Sequence, residues 1–167
     1  SSSLLTEYSK TVSDFLALAN QFTQADLTNS PKEGEWSGAF VIHHMSDAES
    51  FFSTRFLNAL AESDPKIVPF NEDVFPVALN YAKRDAQISI KAIVGISTMI
   101  IDVLKNINEA DWNRKSIHPE NGEMTITAIL EKVISHYKGH TNQLREIKES
   151  LSGALLLQFQ QQNPYQY

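Results

Sequence analysis

Three histidines carry the chemistry for which this sequence can be read. His136 and His140 stand four residues apart in Ile134-Ser-His-Tyr-Lys-Gly-His-Thr-Asn-Gln143. In a helix, residues i and i+4 share a face one turn apart, so two such imidazoles can chelate one ion. His44 lies in a second helical stripe, with Phe40, Val41, Met45, Ala48, Phe51, Phe52, Phe56, Leu57 and Leu60. The adjacent His43 is rotated about 100° away, toward Asp47. A lone imidazole on an apolar face is usually a core residue satisfied by one hydrogen bond. Three inward imidazoles in one core would each need a partner, and a shared cation satisfies three ring nitrogens at once.

Four helices must position these side chains. Apolar residues at a period near 3.6 predict a first helix over Leu4 to Phe22. Turn residues from Thr23 to Glu35 separate it from a second, which Ser37 caps and which ends about Glu62, before Pro65. Ser63 to Pro76 is a loop with three prolines, whose Phe70 and Phe75 are expected to fold back onto the bundle. A third helix is expected from Val77 to Asn106, apolar on most sides from Ile88 to Leu104. Asn108 to Met124 is a connector in which Trp112 to His118 can extend and turn through Asn121-Gly122. The fourth helix runs from Thr125, its N-cap, to about Ser150, and Gly153 ends the pattern.

The fold expected is all-α, a four-helix bundle with long connecting loops. Residues 1–153 form its single domain. Residues 154–167 are a tail, docked or partly disordered. The connectors are longer than up-down bundles need, and such loops often build one end of a pocket.

Bulk composition narrows the classes. The chain has 167 residues, 42% of them hydrophobic and 20% charged, with a net charge of −6. Its 14 Lys and Arg are scattered, which argues against nucleic acid as a partner. No apolar run is read as long enough to span a bilayer, and no secretory signal is read at the start, so no membrane partner is expected. Cysteine is absent. That excludes thiolate ligands, a cysteine nucleophile and disulfides, and it fits a reducing, cytoplasmic compartment.

Two segments carry a family resemblance: Trp36-Ser-Gly-Ala-Phe-Val-Ile-His-His-Met-Ser-Asp-Ala-Glu49 and His136-Tyr-Lys-Gly-His140-Thr-Asn-Gln143. With the long apolar third helix between them, the chain resembles the DinB/YfiT-like superfamily of four-helix metalloproteins over residues 4–150. The resemblance implies a divalent metal, nickel or zinc, held by one histidine of the second helix and the pair of the fourth. Carried over, these ligands are His44, His136 and His140. His44 matches rather than His43, because it precedes the apolar-x-Asp-x-Glu run.

Three imidazoles leave positions open for water or substrate, the layout of a catalytic site. The resemblance implies a metal-dependent enzyme, hydrolase-like or a thiol-dependent transferase, and the expected substrate is a small molecule. The alternative is a non-catalytic, stress-related or metal-binding dimeric module. A homodimer is expected from the resemblance and from the apolar surplus of the third helix.

Around the histidines, Asp47 can orient an imidazole, although an exposed pair with His43 is the preferred reading. Gln143 can hydrogen-bond a ligand from one turn beyond His140, with solvated surface the equal alternative. Glu49 is read as pairing with a neighbouring helix, Tyr137 as core and His118 as surface. No carboxylate on a buried stripe joins the three histidines as a general base.

Overall fold

The computed structural model describes residues 1–162. Four long helices form the bundle: α1 (Ser2–Ala19), α3 (Gly38–Ala61), α5 (Ala86–Leu104) and α6 (Ile126–Gln162). Short helices α2 (Gln24–Thr28) and α4 (Phe75–Ala78) lie in the connectors, and strands β1 (Lys115–His118) and β2 (Gly122–Thr125) pair as an antiparallel hairpin before α6.

The packing order explains two of the three long connectors, those before α3 and before α6. α1 packs on α6 and α5, while α3 packs on α5 and α6. The consecutive pairs α1–α3 and α5–α6 therefore face each other across diagonals, and the chain must cross an end of the bundle twice. A two-to-five-residue turn joins only antiparallel neighbours. The first crossing brings Phe22 against the start of α3, where a Cβ on Gly38 would lie 2.9 Å from the Phe22 ring.

Local chemistry sets the helix starts. The Ser37 hydroxyl accepts from Phe40 N–H at 3.2 Å, and the Thr125 hydroxyl accepts from Ala128 N–H at 3.0 Å. Each satisfies an amide left without an intrahelical partner. The core joins all four helices through Phe15, Val41, Ile42, Met45, Phe56, Ile93, Ile100, Leu130 and Leu144, each fully buried. Removing a side chain such as Phe56 would cost about 3–5 kcal/mol.

Three expectations about the helices need correction. The third helix starts at Ala86, because Asn80 takes a left-handed φ of 51° and Asp85 caps the new start by accepting from Gln87 N–H. α6 passes through Gly153, since one glycine costs a helix only about 1 kcal/mol; residues 154–162 continue it, and 163–167 lie outside the described residues. α5 is long and apolar enough to cross a membrane by length and composition, at a mean hydropathy of 1.6. Its Ile90, Ile93, Ile100 and Leu104 are buried in the bundle core.

Two polar clusters sit inside this apolar frame. The Glu49 carboxylate, 1% exposed, accepts from the hydroxyls of Tyr8 and Tyr137, the latter at 2.6 Å. It thus pairs with two neighbouring helices, and Tyr137 is core as expected. Asp47 corrects its preferred reading: it is held by both terminal nitrogens of Arg84 and by the Tyr81 hydroxyl, all at 2.8 Å. His43 is buried, with Nδ1 2.7 Å from the Ser89 hydroxyl, rather than paired on the surface. His118 is also not a surface residue. It is 9% exposed, and its Nδ1 accepts from the backbone amides of Glu120 and Asn121 in the hairpin turn.

Candidate metal centre

α3 and α6 bring His44, His136 and His140 together. The Nε2 of His44 lies 2.9 Å from that of His136 and 3.1 Å from that of His140. All three ligand atoms fall within 4.8 Å of one another. His44 turns to α6 and His43 to α5.

These imidazoles are suited to an ion. Burial, with the neighbouring imidazoles adding to it, pushes the pKa of His44 down to about 3. Burial likewise takes His136 to about 4, helped by His140 and Arg55. Both rings are therefore neutral near pH 7, and neutral imidazole is the ligand form. One proton between three facing nitrogens can satisfy two of them, which leaves a buried acceptor unmatched. An ion about 2.0–2.1 Å from each nitrogen would set them about 3.4 Å apart, a few tenths of an ångström beyond the two spacings from His44, 2.9 Å and 3.1 Å. The donor set therefore fits a divalent metal.

The surroundings fix the rings. His140 Nδ1–H donates to Gln143 Oε1 at 2.8 Å, which leaves the Nε2 lone pair facing inward. Gln143 is therefore tied to the His140 ring rather than left as solvated surface. His44 packs against Trp36, with ring centroids 5.3 Å apart, and His136 against Phe52 at 5.4 Å. The buried His44 Nδ1 has no hydrogen-bond partner among the described residues. Asp47 does not orient an imidazole; Arg84 and Tyr81 occupy it instead.

One residue escaped the sequence reading. Glu72, on the loop between α3 and α4, places Oε2 3.3 Å from His44 Nε2. It is about half exposed, at 48%. A carboxylate does stand at the histidines, then, delivered by an irregular loop that no helical stripe reveals. Phe70 of the same loop stacks on Phe51 at 4.8 Å and lies 6.3 Å from the His44 ring, which anchors the loop over the site.

Two clefts reach this centre. One, of about 510 Å³, runs between Trp36, Glu72 and His140. The other, of about 540 Å³, opens beside Phe52, Arg55, Lys132 and His136. Gln143 and His140 line both. A small molecule can thus reach His140 from either side and His136 from the Phe52 side.

Known proteins share this arrangement of helices. The chain is 26% identical to a Bacillus mycoides protein over 129 residues, 77% of this chain and 74% of that one. It is 26% identical to a Geobacillus kaustophilus protein over 141 residues, 82% of this chain and 78% of that one. Both relatives bear the provisional name of metal-dependent hydrolase. Among solved structures, YfiT from Bacillus subtilis superposes with a TM-score of 0.81 at 18% identity, over 90% of this chain and 87% of that one. It is described as a probable metal-dependent hydrolase with an unusual four-helix bundle topology. A mycothiol-dependent maleylpyruvate isomerase superposes with a TM-score of 0.71 at 12% identity, over 86% of this chain and 60% of that one. The sequence profile of the DinB superfamily matches residues 7–144, so the chain belongs to the DinB superfamily.

Proposed function

We propose that this protein is a metal-dependent enzyme that hydrolyses a small molecule, with His44, His136 and His140 as its ligands to zinc or nickel. The observation that carries the reading is the convergence of three Nε2 atoms, with a carboxylate 3.3 Å from one of them. A divalent ion bound there supplies Lewis acidity.

The chain's own residues do the rest. Gln143 holds the His140 ring in the tautomer that presents Nε2. Trp36 and Phe52 wall the imidazoles against water. Glu72, at the edge of the cleft, accepts the proton of the attacking nucleophile, because its loop position leaves it within reach of both site and solvent.

The same groups can serve a thiol in place of water, with Glu72 taking the thiol proton. The fold shared with an isomerase that depends on mycothiol favours keeping this second reading. A homodimer through α5 accompanies either one, because Ile88, Val94 and Met99 on that helix are 66%, 45% and 44% exposed.

The test begins with metal analysis of protein purified without a nickel column and supplied with zinc or nickel. About one ion per chain is expected, and less than about 0.2 would sink the metal reading. Loaded protein is then assayed on ester and amide panels, with and without a low-molecular-weight thiol. Turnover independent of thiol supports hydrolysis, and turnover only with thiol supports transfer.

A further inference from the structure

The cleft on the Phe52 side carries two cations, Arg55 and Lys132, and no carboxylate lines it. That is unusual placement in a chain of net charge −6. The guanidinium of Arg55 is partly buried and lies 5.3 Å and 5.9 Å from the ring centroids of Phe52 and Phe70. Its one hydrogen bond among the described residues is long, from Nη2 to the Val68 carbonyl at 3.5 Å. The buried Nε has no partner there. No ion pair involves Arg55 or Lys132 among the described residues.

Arg84 shows how this protein treats an arginine with a structural task. Asp47 accepts from both of its terminal nitrogens at 2.8 Å. Arg55 is drawn partly out of water with no such acceptor among the described residues. A desolvated, unpaired charge is costly. A planar fork of N–H donors is matched by an oxyanion bound through two oxygens. The aromatic rings beneath the guanidinium would meet the apolar body of the molecule that carries it.

We propose that this cleft binds the anionic end of the substrate, a carboxylate or phosphate on a small apolar body, with Arg55 as the anchor and Lys132 in support. His136 and His140 line the same cleft, so an anchored molecule presents its remainder to those two rings. In calling that molecule the substrate, the inference rests on the metal-enzyme reading; the anion site itself does not.

The experiment titrates the full chain, metal-loaded and chelated, with benzoate, phenyl phosphate and benzyl alcohol by calorimetry. At least one anion should bind about tenfold or more tighter than the alcohol, as expected for hydrogen bonds to charged groups. Which anion binds tighter identifies the oxyanion. Arg55→Met should weaken that anion about tenfold in both forms of the protein while metal content and alcohol binding stay unchanged. Arg55→Lys should recover part of the loss, and it replaces Arg55→Met if circular dichroism shows the latter unfolded. Anion and alcohol binding alike would overturn the proposal. So would anion binding that disappears on chelation and ignores Arg55, because the ion would then be its receptor. A chain that holds no metal yet binds the anion through Arg55 would defeat the metal reading and support this one.

Discussion

Two mouths open on the same pair of residues, His140 and Gln143, and they are charged oppositely. The mouth beside Trp36 is lined by the carboxylates of Glu35, Glu72 and Glu146 and by no lysine or arginine. The mouth beside Phe52 is lined by Arg55 and Lys132 and by no carboxylate. Both are formed in part by α6, so the helix alone does not set the sign. The connectors do much of it: the crossing before α3 brings Glu35, and the loop between the packed neighbours α3 and α5 brings Glu72. Across a centre only a few ångströms wide, such a division gives direction. On the readings proposed above, an anion would be drawn to one side and a proton acceptor would stand on the other.

This contrast can be broken at its shared wall. His140→Ala removes a proposed ligand common to both mouths, and metal content should fall from about one ion per chain to below about 0.2. Metal analysis after dialysis reads it directly. Retention of a full equivalent would show that His140 is not a ligand.

Removing the proton acceptor alone should separate the mouths. Glu72→Gln is expected to lower turnover about a hundredfold while leaving metal content and benzoate affinity within a factor of about two. If the metal leaves with the carboxylate, Glu72 is a ligand rather than a base. A milder change reaches the shared wall from behind. Gln143→Leu should weaken metal affinity about tenfold by freeing the His140 ring, as measured in competition with a chromogenic chelator.

The smallest effect belongs to a site that touches neither mouth. Burial raises the pKa of Glu49 above its usual 4.5, although the two tyrosine hydroxyls oppose the shift. The folded chain therefore keeps a proton that the unfolded chain gives up. The stability this contributes is fully present below pH 4.5 and is lost as pH rises through the folded value. Glu49→Gln stays neutral at every pH. Its melting temperature should gain about 2–4 °C on the wild type between pH 4 and pH 8, with both clefts unaltered. Parallel melting curves for the two proteins would show that Glu49 does not titrate across that window.

What could be read in advance follows from periodicity. His44, His136 and His140 sit in regular apolar stripes, and a helix of 3.6 residues per turn converts their spacing into a shared face. The caps Ser37 and Thr125 were legible for the same reason, since their chemistry is local. Glu72 was not, because irregular backbone imposes no period from which direction can be inferred. Asp47 was misjudged because its partner, Arg84, lies 37 residues away on a segment read as helix. Asn80 breaks that segment by a left-handed turn that the apolar pattern does not encode. Nor does that pattern encode charge, so the paired mouths appear only when the loops are in place.

The buried carboxylate of Glu49 has a role in alignment as well as in stability. It stands five residues after His44, about 7.5 Å along the axis at about 1.5 Å per residue. Its α6 partner, Tyr137, is the immediate neighbour of His136. Leucine and isoleucine surfaces tolerate sliding, because dispersion has no preferred direction. Two directional hydrogen bonds from separate helices do not. Glu49 thus acts as a peg between α1, α3 and α6. A slip of α6 by one turn would carry its histidines about 5.4 Å past His44, and the peg forbids that slip before any ion arrives. The spacing of three nitrogens at one end of the bundle is therefore set by an oxygen inside it.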